Sequence, residues 1–293
     1  MKKALKRIGI VLGALVGLII VVAVVLYVSV GARLSKTYTV QPETVTIPKD
    51  PAAIERGKRL AAIYCAGCHG DDYSGTVFFN DPGLGSINAL NLTPGKSGAG
   101  SEFKDADWVL AIRHGVDPHG GKPLLMPASK ALYYLSDADL GAIVAYLKSV
   151  PPVDKEWDEY KFTPMAQILL GAGAFGDFIS AETIDHTGTR PVAPATGVTT
   201  AYGDYLVRTV GCADCHAKDL SGGKDPNPAA PPAPNLTRTG ELRLWTEQDF
   251  ITAVRTRVAE FMPWKDLRNM TDDELKAIWL YLKSLSAKES RKP

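Results

Sequence analysis

Cys65-Ala66-Gly67-Cys68-His69 and Cys212-Ala213-Asp214-Cys215-His216 together hold all four cysteines of the chain. Both read C-x-x-C-H. Two thiols three residues apart fall on one helical turn, where each can add to a vinyl group of the same porphyrin. The histidine that follows is then held under the iron as its proximal ligand. The spacing predicts covalent attachment of haem c at both places. Cys65, Cys68, Cys212 and Cys215 form the thioethers, and His69 and His216 ligate iron. A redox dithiol, a structural disulfide pair or a zinc site would leave both histidines unexplained.

The similarity between the two halves extends well beyond the cysteines. Upstream, Gly57-Lys58-Arg59-Leu60 answers to Gly203-Asp204-Tyr205-Leu206, each within a short amphipathic helix that runs into its motif. Downstream, Asn91-Leu92-Thr93 matches Asn235-Leu236-Thr237. Next, Trp108–Arg113 matches Phe250–Arg255 with apolar residues at helical spacing. Each half closes on a helix with an N-cap signature and an acidic first turn, Ser136-Asp137-Ala138-Asp139 and Thr271-Asp272-Asp273-Glu274. Two helical units result.

Between the last two helices of each half stands a Met-Pro pair, Met126-Pro127 and Met262-Pro263. Methionine is by default a flexible core filler. Proline holds the preceding residue extended, which can present its sulfur to a ring from a loop. Met126 and Met262 are therefore expected as the distal iron ligands. Met165 and Met270 lack that setting and read as packing residues. His114 and His119 are the rivals at the first iron, but nothing matches them in the second half, so they read as surface or loop residues. His186 reads as exposed or locally hydrogen-bonded. Asn91, Asn235 and Asn269 each begin an Asn-x-Thr sequence, but the first two occupy equivalent loops, which favours a structural role over glycosylation.

The amino terminus is of another kind. Ile8 to Ala32 carries no charge and exceeds the roughly 30 Å needed to cross the hydrocarbon of a bilayer. Lys2, Lys3, Lys6 and Arg7 precede it, which places the amino end in the cytoplasm and the remainder outside. A cleaved signal peptide is the rival, with Val30-Gly31-Ala32 as the cleavage site. The run is long for that role, so a retained anchor is expected. No cysteine lies near it, which excludes a lipid anchor on cysteine.

The charge balance conceals this division. The chain has 33 basic and 32 acidic residues, a formal +1. Residues 1–36 contribute six basic and no acidic groups, leaving 27 against 32 over residues 37–293, a formal −5. Neither a strongly basic nucleic-acid binder nor an acidic tail is compatible with these figures. The expected organisation is a cytoplasmic stub and transmembrane anchor over 1–36, a first haem domain over 50–150, a linker over 151–199 and a second haem domain over 200–293. Pro151-Pro152 ends the first domain. The uncharged run Met165 to Gly176 is too short to span a bilayer. It is expected to pack between the haem domains, with the membrane surface or a partner subunit as alternatives. Thr187 to Thr200 reads as loop. Pro226, Pro228, Pro231, Pro232 and Pro234 read as a stiff loop over the second haem.

These motifs resemble the class I cytochrome c family applied twice. More closely, they resemble the cytochrome c subunits of bacterial membrane-bound dehydrogenases for alcohols and sugars. Asn91-Leu92-Thr93-Pro94, Gly115-Val116, Met126-Pro127 and Ala145-Tyr146-Leu147 carry the likeness. The resemblance implies a mostly α fold: two tandem class I cytochrome c domains after an N-terminal transmembrane helix. There are two departures. Those subunits usually have three haem motifs where this chain has two. The family's proline before Asn-Leu, whose carbonyl receives the proximal histidine N–H, is kept at Pro234 but is Leu90 in the first half.

If both irons carry His and Met, neither has an open position, which suits outer-sphere electron transfer rather than peroxide or oxygen chemistry. The expected function is a membrane-anchored dihaem c-type cytochrome with two covalently bound haem c groups. It would transfer electrons on the outer, periplasmic face of the bacterial cytoplasmic membrane. The partners would be a membrane dehydrogenase or quinol-oxidising complex and a respiratory acceptor, or a terminal oxidase of which the chain is the cytochrome subunit. No catalytic residue and no nucleic acid partner is expected. The alternative is a peroxidase-like haem enzyme with one open coordination site. A sensor is disfavoured because no signalling domain follows.

Overall fold

α1 runs without a break over Lys2–Leu34, the one helix among the described residues that is long and apolar enough to cross a membrane. The structure is a computed structural model describing residues 2–158, 160–188, 192–225, 230–258 and 261–291. Pro226 and Pro228, part of the expected stiff loop, lie outside these residues.

After α1 the chain holds α2 (Pro51–Tyr64), α3 (Ala66–His69), strands β1 (Thr76–Asp81) and β2 (Gly85–Ala89), α4 (Ala99–Glu102), α5 (Asp105–His114), α6 (Ser129–Leu132) and α7 (Asp137–Leu147). Strand β3 (Tyr160–Phe162) and α8 (Pro164–Gly171) follow. The second unit comprises α9 (Thr200–Val210), α10 (Cys212–His216), α11 (Glu247–Thr256), α12 (Trp264–Leu267) and α13 (Asp272–Ser284).

The repeat has a physical cause. α2 crosses α7, and α9 crosses α13, each at a glycine that lets backbones touch. A Cβ on Gly57 would land on the Ala142 carbonyl oxygen, and one on Gly203 on that of Ala277. The expected caps are present. The Ser136 hydroxyl accepts from Asp139 N, and Thr271 forms a reciprocal capping box with Glu274.

The two units share one apolar core, in which Leu60, Leu140 and Ile143 of the first pack with Tyr205, Leu206 and Leu275 of the second. The seam is polar as well. Tyr64 bonds to Thr209 at 2.9 Å and Arg59 donates to Glu274 at 2.6 Å.

The segment expected as a linker is no free tether. The Thr93 hydroxyl accepts from Val153 N at 3.0 Å, and Trp157 donates to Ser74 O at 2.9 Å. β3 then completes an antiparallel sheet in the order β1-β2-β3, with Phe79, Ile87 and Tyr160 in register. The uncharged run does not pack between the haem domains, contrary to expectation. α8 lies instead against the far end of α1, and Leu170 joins Val30, Leu34, Ile87, Leu125 and Ile179 in a second apolar cluster. The end of α1 presents Val30 and Leu34, and packing Leu170 with them removes apolar surface from water. Met165 on α8 is exposed rather than packed, whereas Met270 is buried as expected.

Candidate haem-binding sites

Each C-x-x-C-H motif sits at or on a short helix that directly follows a long one in the chain. In the first unit, α3 follows α2 through Cys65, whose N–H still bonds to Ala61 O. In the second, Gly211 adopts a left-handed conformation (φ +79°) that closes α9 and opens α10.

Both histidines are held identically. His69 Nδ1 lies 2.7 Å from Leu90 O, and His216 Nδ1 lies 2.8 Å from Pro234 O. A carbonyl can only accept, so Nδ1 carries the proton and Nε2 presents its lone pair. Burial lowers the affinity of both rings for a second proton, against the opposing pull of the carbonyl. Neutral imidazole with a fixed tautomer is the form a metal takes, oriented by its outer hydrogen bond. Replacing the family's proline by Leu90 leaves this bond in place, since only the carbonyl takes part.

In the first unit Cys65, Cys68, His69 and Met126 line one cavity of about 300 Å³. Its walls are apolar, with Leu125, Leu132 and Ile143 among them. Phe78, the extra residue of a bulge in β1 between Val77 and Phe79, also faces it. Trp108 lines the cavity too, and its buried Nε1 has no acceptor among the described residues. A flat, mostly apolar group with an acceptor at its edge fits such a slot, and haem carries its carboxylates at one edge.

Burial pushes the Cys65, Cys212 and Cys215 thiols up to about 12 and raises Cys68 as well. These are neutral thiols, the reverse of the lowered values that mark a redox dithiol. Among the described residues no cluster of three or more His, Cys, Asp and Glu could hold an ion. The zinc and dithiol readings gain no support from this chemistry.

In the second unit Met262 and Cys212 pack half-buried against the shared core. His119 reaches the first cavity at its mouth, with its side chain 62% exposed and Nδ1 3.7 Å from Asp117 Oδ1. His114 departs from expectation. It is fully buried, with Nδ1 2.9 Å from His186 Nδ1 and Nε2 3.3 Å from Glu43 Oε2. Residues 37–49, which follow the anchor, run over this part of the first unit and bring Glu43 there. His186 also bonds locally, to Ala181 O.

Asn91 and Asn235 are buried and act alike. Each Oδ1 accepts from the N–H two residues on, and each Nδ2 ties its loop to the chain beyond the last helix, at Val153 O and Lys288 O. Glycosylation requires an accessible side chain, so the structural reading stands. The role of Trp108 escaped the sequence reading, and its only signal was an indole where the matching helix has Phe250.

Comparison with known proteins bears on this geometry directly. Residues 52–147 match the family described as "Cytochrome C oxidase, cbb3-type, subunit III", and residues 200–286 match "Cytochrome c". Both units are cytochrome c domains.

The chain as a whole also has relatives among longer proteins. The cytochrome c subunit of alcohol dehydrogenase (quinone) from Gluconacetobacter polyoxogenes is 28% identical over 272 residues, covering 80% of this chain and 56% of the relative. The gluconate 2-dehydrogenase cytochrome c subunit of Pantoea cypripedii is 30% identical over 283 residues, covering 82% and 61%. The fructose dehydrogenase cytochrome subunit of Gluconobacter japonicus is 27% identical over 270 residues, covering 80% and 53%. The chain thus spans between half and two thirds of the length of these relatives. It is homologous to cytochrome c subunits of alcohol, gluconate and fructose dehydrogenases, and its two cytochrome c domains imply covalent haem c.

Proposed function

We propose that this chain is a membrane-anchored electron-transfer protein carrying two covalently bound haem c groups, with both haem domains on the outer face of a bacterial cytoplasmic membrane. The supporting observation is the cavity that gathers Cys65, Cys68, His69 and Met126, repeated in motif by Cys212, Cys215, His216 and Met262.

Haem c, when bound, supplies a one-electron iron couple. The chain does the rest. His69 and His216 offer Nε2 as iron ligands while Leu90 and Pro234 fix their rings. Met126 and Met262 would each supply a sulfur ligand to the iron, which would leave no open site for peroxide and raise the potential relative to a second histidine. Leu125, Leu132 and Ile143 keep water from the first site. Tyr64, one residue before Cys65, and Thr209, three before Cys212, join the helices that lead into the two motifs, which brings the two haem attachment regions together.

The relatives bear the names of dehydrogenase subunits, and the proposed electron donor is a membrane dehydrogenase. The acceptor is a component of the respiratory chain. Lys2, Lys3, Lys6 and Arg7 orient the anchor with its amino end in the cytoplasm.

The test is purification from membranes in mild detergent. The expected preparation holds two covalently attached haems per chain, and a dehydrogenase subunit accompanies it. Haem extractable by acid acetone, or one haem per chain, would refute the site assignment. Persistent co-purification with an oxidase alone would refute the donor.

A further inference from the structure

α8 is committed on one side and bare on the other. Ala166 and Leu170 are buried, and Gly171 packs on α1, where a Cβ would come within 3.1 Å of Leu26 and 3.2 Å of Val30. Met165, on the same helix, is 55% exposed. Residues 172–174 beyond it are exposed too, and no charge occurs from Met165 to Gly176. The charged residues that flank the run, Lys161 and Asp177, are both exposed.

The contact with α1 sets the depth of this surface. About 20 residues counted from Ile8 rise roughly 30 Å, the thickness of the hydrocarbon layer. Its outer edge therefore falls close to Tyr27, between the residues that Gly171 touches. Aromatic rings, which membrane interfaces favour, pack against the cluster at that end of α1. Tyr27 is exposed on α1, and Tyr160, Phe162, Phe175 and Phe178 stand half-buried on either side of α8.

We propose that α8 is an interfacial helix, with Met165 and residues 172–174 resting in the boundary between headgroups and acyl chains of the outer leaflet. The occupant of the bare face is lipid, because that face is continuous with the exposed apolar surface of α1 and lies at interface depth. The first haem domain is thereby seated on the bilayer rather than swinging on a tether. Ile87 and Leu125 line its cavity and also pack in the cluster with Val30, Leu34 and Leu170. One layer of side chains thus separates the first haem site from the anchor, which makes it the membrane-proximal site of the two.

This inference rests on reading α1 as a membrane span, and the experiment keeps the two apart. The photoreactive residue p-benzoyl-phenylalanine is placed singly at Met165, Ala172, Leu18 and Leu244 of the full-length holoprotein. Leu18 lies within α1, and Leu244 is an exposed apolar residue of the second domain. After illumination in phospholipid vesicles, adducts are read by mass. Lipid adducts at Met165 and Ala172, at yields close to Leu18 and absent at Leu244, are expected. Adducts at Leu18 alone would overturn the seat and leave the anchor standing. No adduct at Leu18 would overturn the anchor and the seat with it. In native membranes, a protein adduct replacing the lipid adduct at Met165 would overturn the choice of lipid and make this face a subunit contact.

Discussion

The Tyr205 hydroxyl donates to Asp139 Oδ2 at 2.6 Å across the seam between the two cytochrome c domains. Arg59 and Glu274 make the reciprocal pair at 2.6 Å. Tyr205 and Arg59 hold the same place in the repeat, as do Asp139 and Glu274, so the domains clasp each other twice through equivalent positions. Both carboxylates are buried, and each belongs to the first turn of a closing helix. Burial and the Asp139 charge together push the Tyr205 phenol well up, so it stays a donor at any ordinary pH. Removing a donor from a buried carboxylate costs about 1–3 kcal/mol. Tyr205→Phe and Arg59→Ala are each expected to lower the melting temperature by several degrees, read by circular dichroism. Unchanged melting in both would show that the clasp contributes nothing.

Gly57 and Gly203 predict a larger and less intuitive loss. Alanine favours a helix over glycine by up to about 1 kcal/mol. At these two positions the added methyl meets the backbone oxygen of Ala142 or Ala277, which no rotamer change can move. The helices must separate, and overpacking of this kind costs about 1–3 kcal/mol or more. Gly57→Ala and Gly203→Ala are expected to destabilise and to reduce the yield of haem-loaded protein. Gly9→Ala, where nothing lies near, is the neutral control.

What could be read from sequence was local. α1, the capped helices α7 and α13, the haem motifs and the Met-Pro pairs announce themselves within a few residues through period, cap and spacing. The unforeseen parts depend on pairing between distant segments. The β1-β2-β3 sheet draws its third strand from a stretch that reads as linker, and only the fold sets Tyr160 beside Ile87. His114 reads as a loop histidine because its partners, Glu43 and His186, are remote in sequence. The glycines of the repeat were visible, but their reason, a helix crossing, was not. The Tyr205–Asp139 contact leaves no local trace, since an amphipathic helix looks the same whether it faces its own domain or its neighbour.

Asp266 on α12 abuts Gly67 of the first haem motif and supplies a pH dependence. Burial raises its carboxyl above the usual range, Asp71 adds to this, and Lys265 opposes it. A carboxyl with a raised folded value costs nothing while protonated in both states. Its penalty therefore vanishes below the unfolded value near pH 4 and grows as pH rises through the folded value. Asp266→Asn is expected to match the parent protein in stability at about pH 3.5 and exceed it at pH 7. Equal stability at both values would refute a buried charge here.

Met126 and Met262 predict a simple ligand test. With both sulfurs on iron, the reduced protein should not bind carbon monoxide without denaturation. Met126→Ala and Met262→Ala are each expected to create one binding site per chain. Met126→His and Met262→His are expected to keep the iron closed and lower the potential of the affected haem. Rapid stoichiometric binding by the unaltered protein would instead support the haem-enzyme alternative. Binding unchanged by a Met→Ala substitution would remove that methionine from the ligand set.

The anchor's last turn is part of the first domain, and this bears on whether α1 is cleaved. Val30 is fully buried, and Leu34 is nearly so, within the cluster that also holds Leu170 and Ile179. Arg33 grips Glu182 through two nitrogens, with Nε 2.9 Å from Oε1 and Nη2 2.6 Å from Oε2. Val30-Gly31-Ala32 lies inside a continuous helix with Val30 buried, and is not the extended segment a peptidase takes. Cleavage there would remove Val30 and leave its hole in the cluster. Protein extracted from membranes is therefore expected to retain α1 by intact mass. Val30→Ala should cost about 0.5–2 kcal/mol as a cavity in that cluster. Arg33→Ala should cost under about 1 kcal/mol, because its side chain is partly exposed to water. A mature chain starting after Ala32, with stability unchanged by Val30→Ala, would show that the fold does not use its anchor.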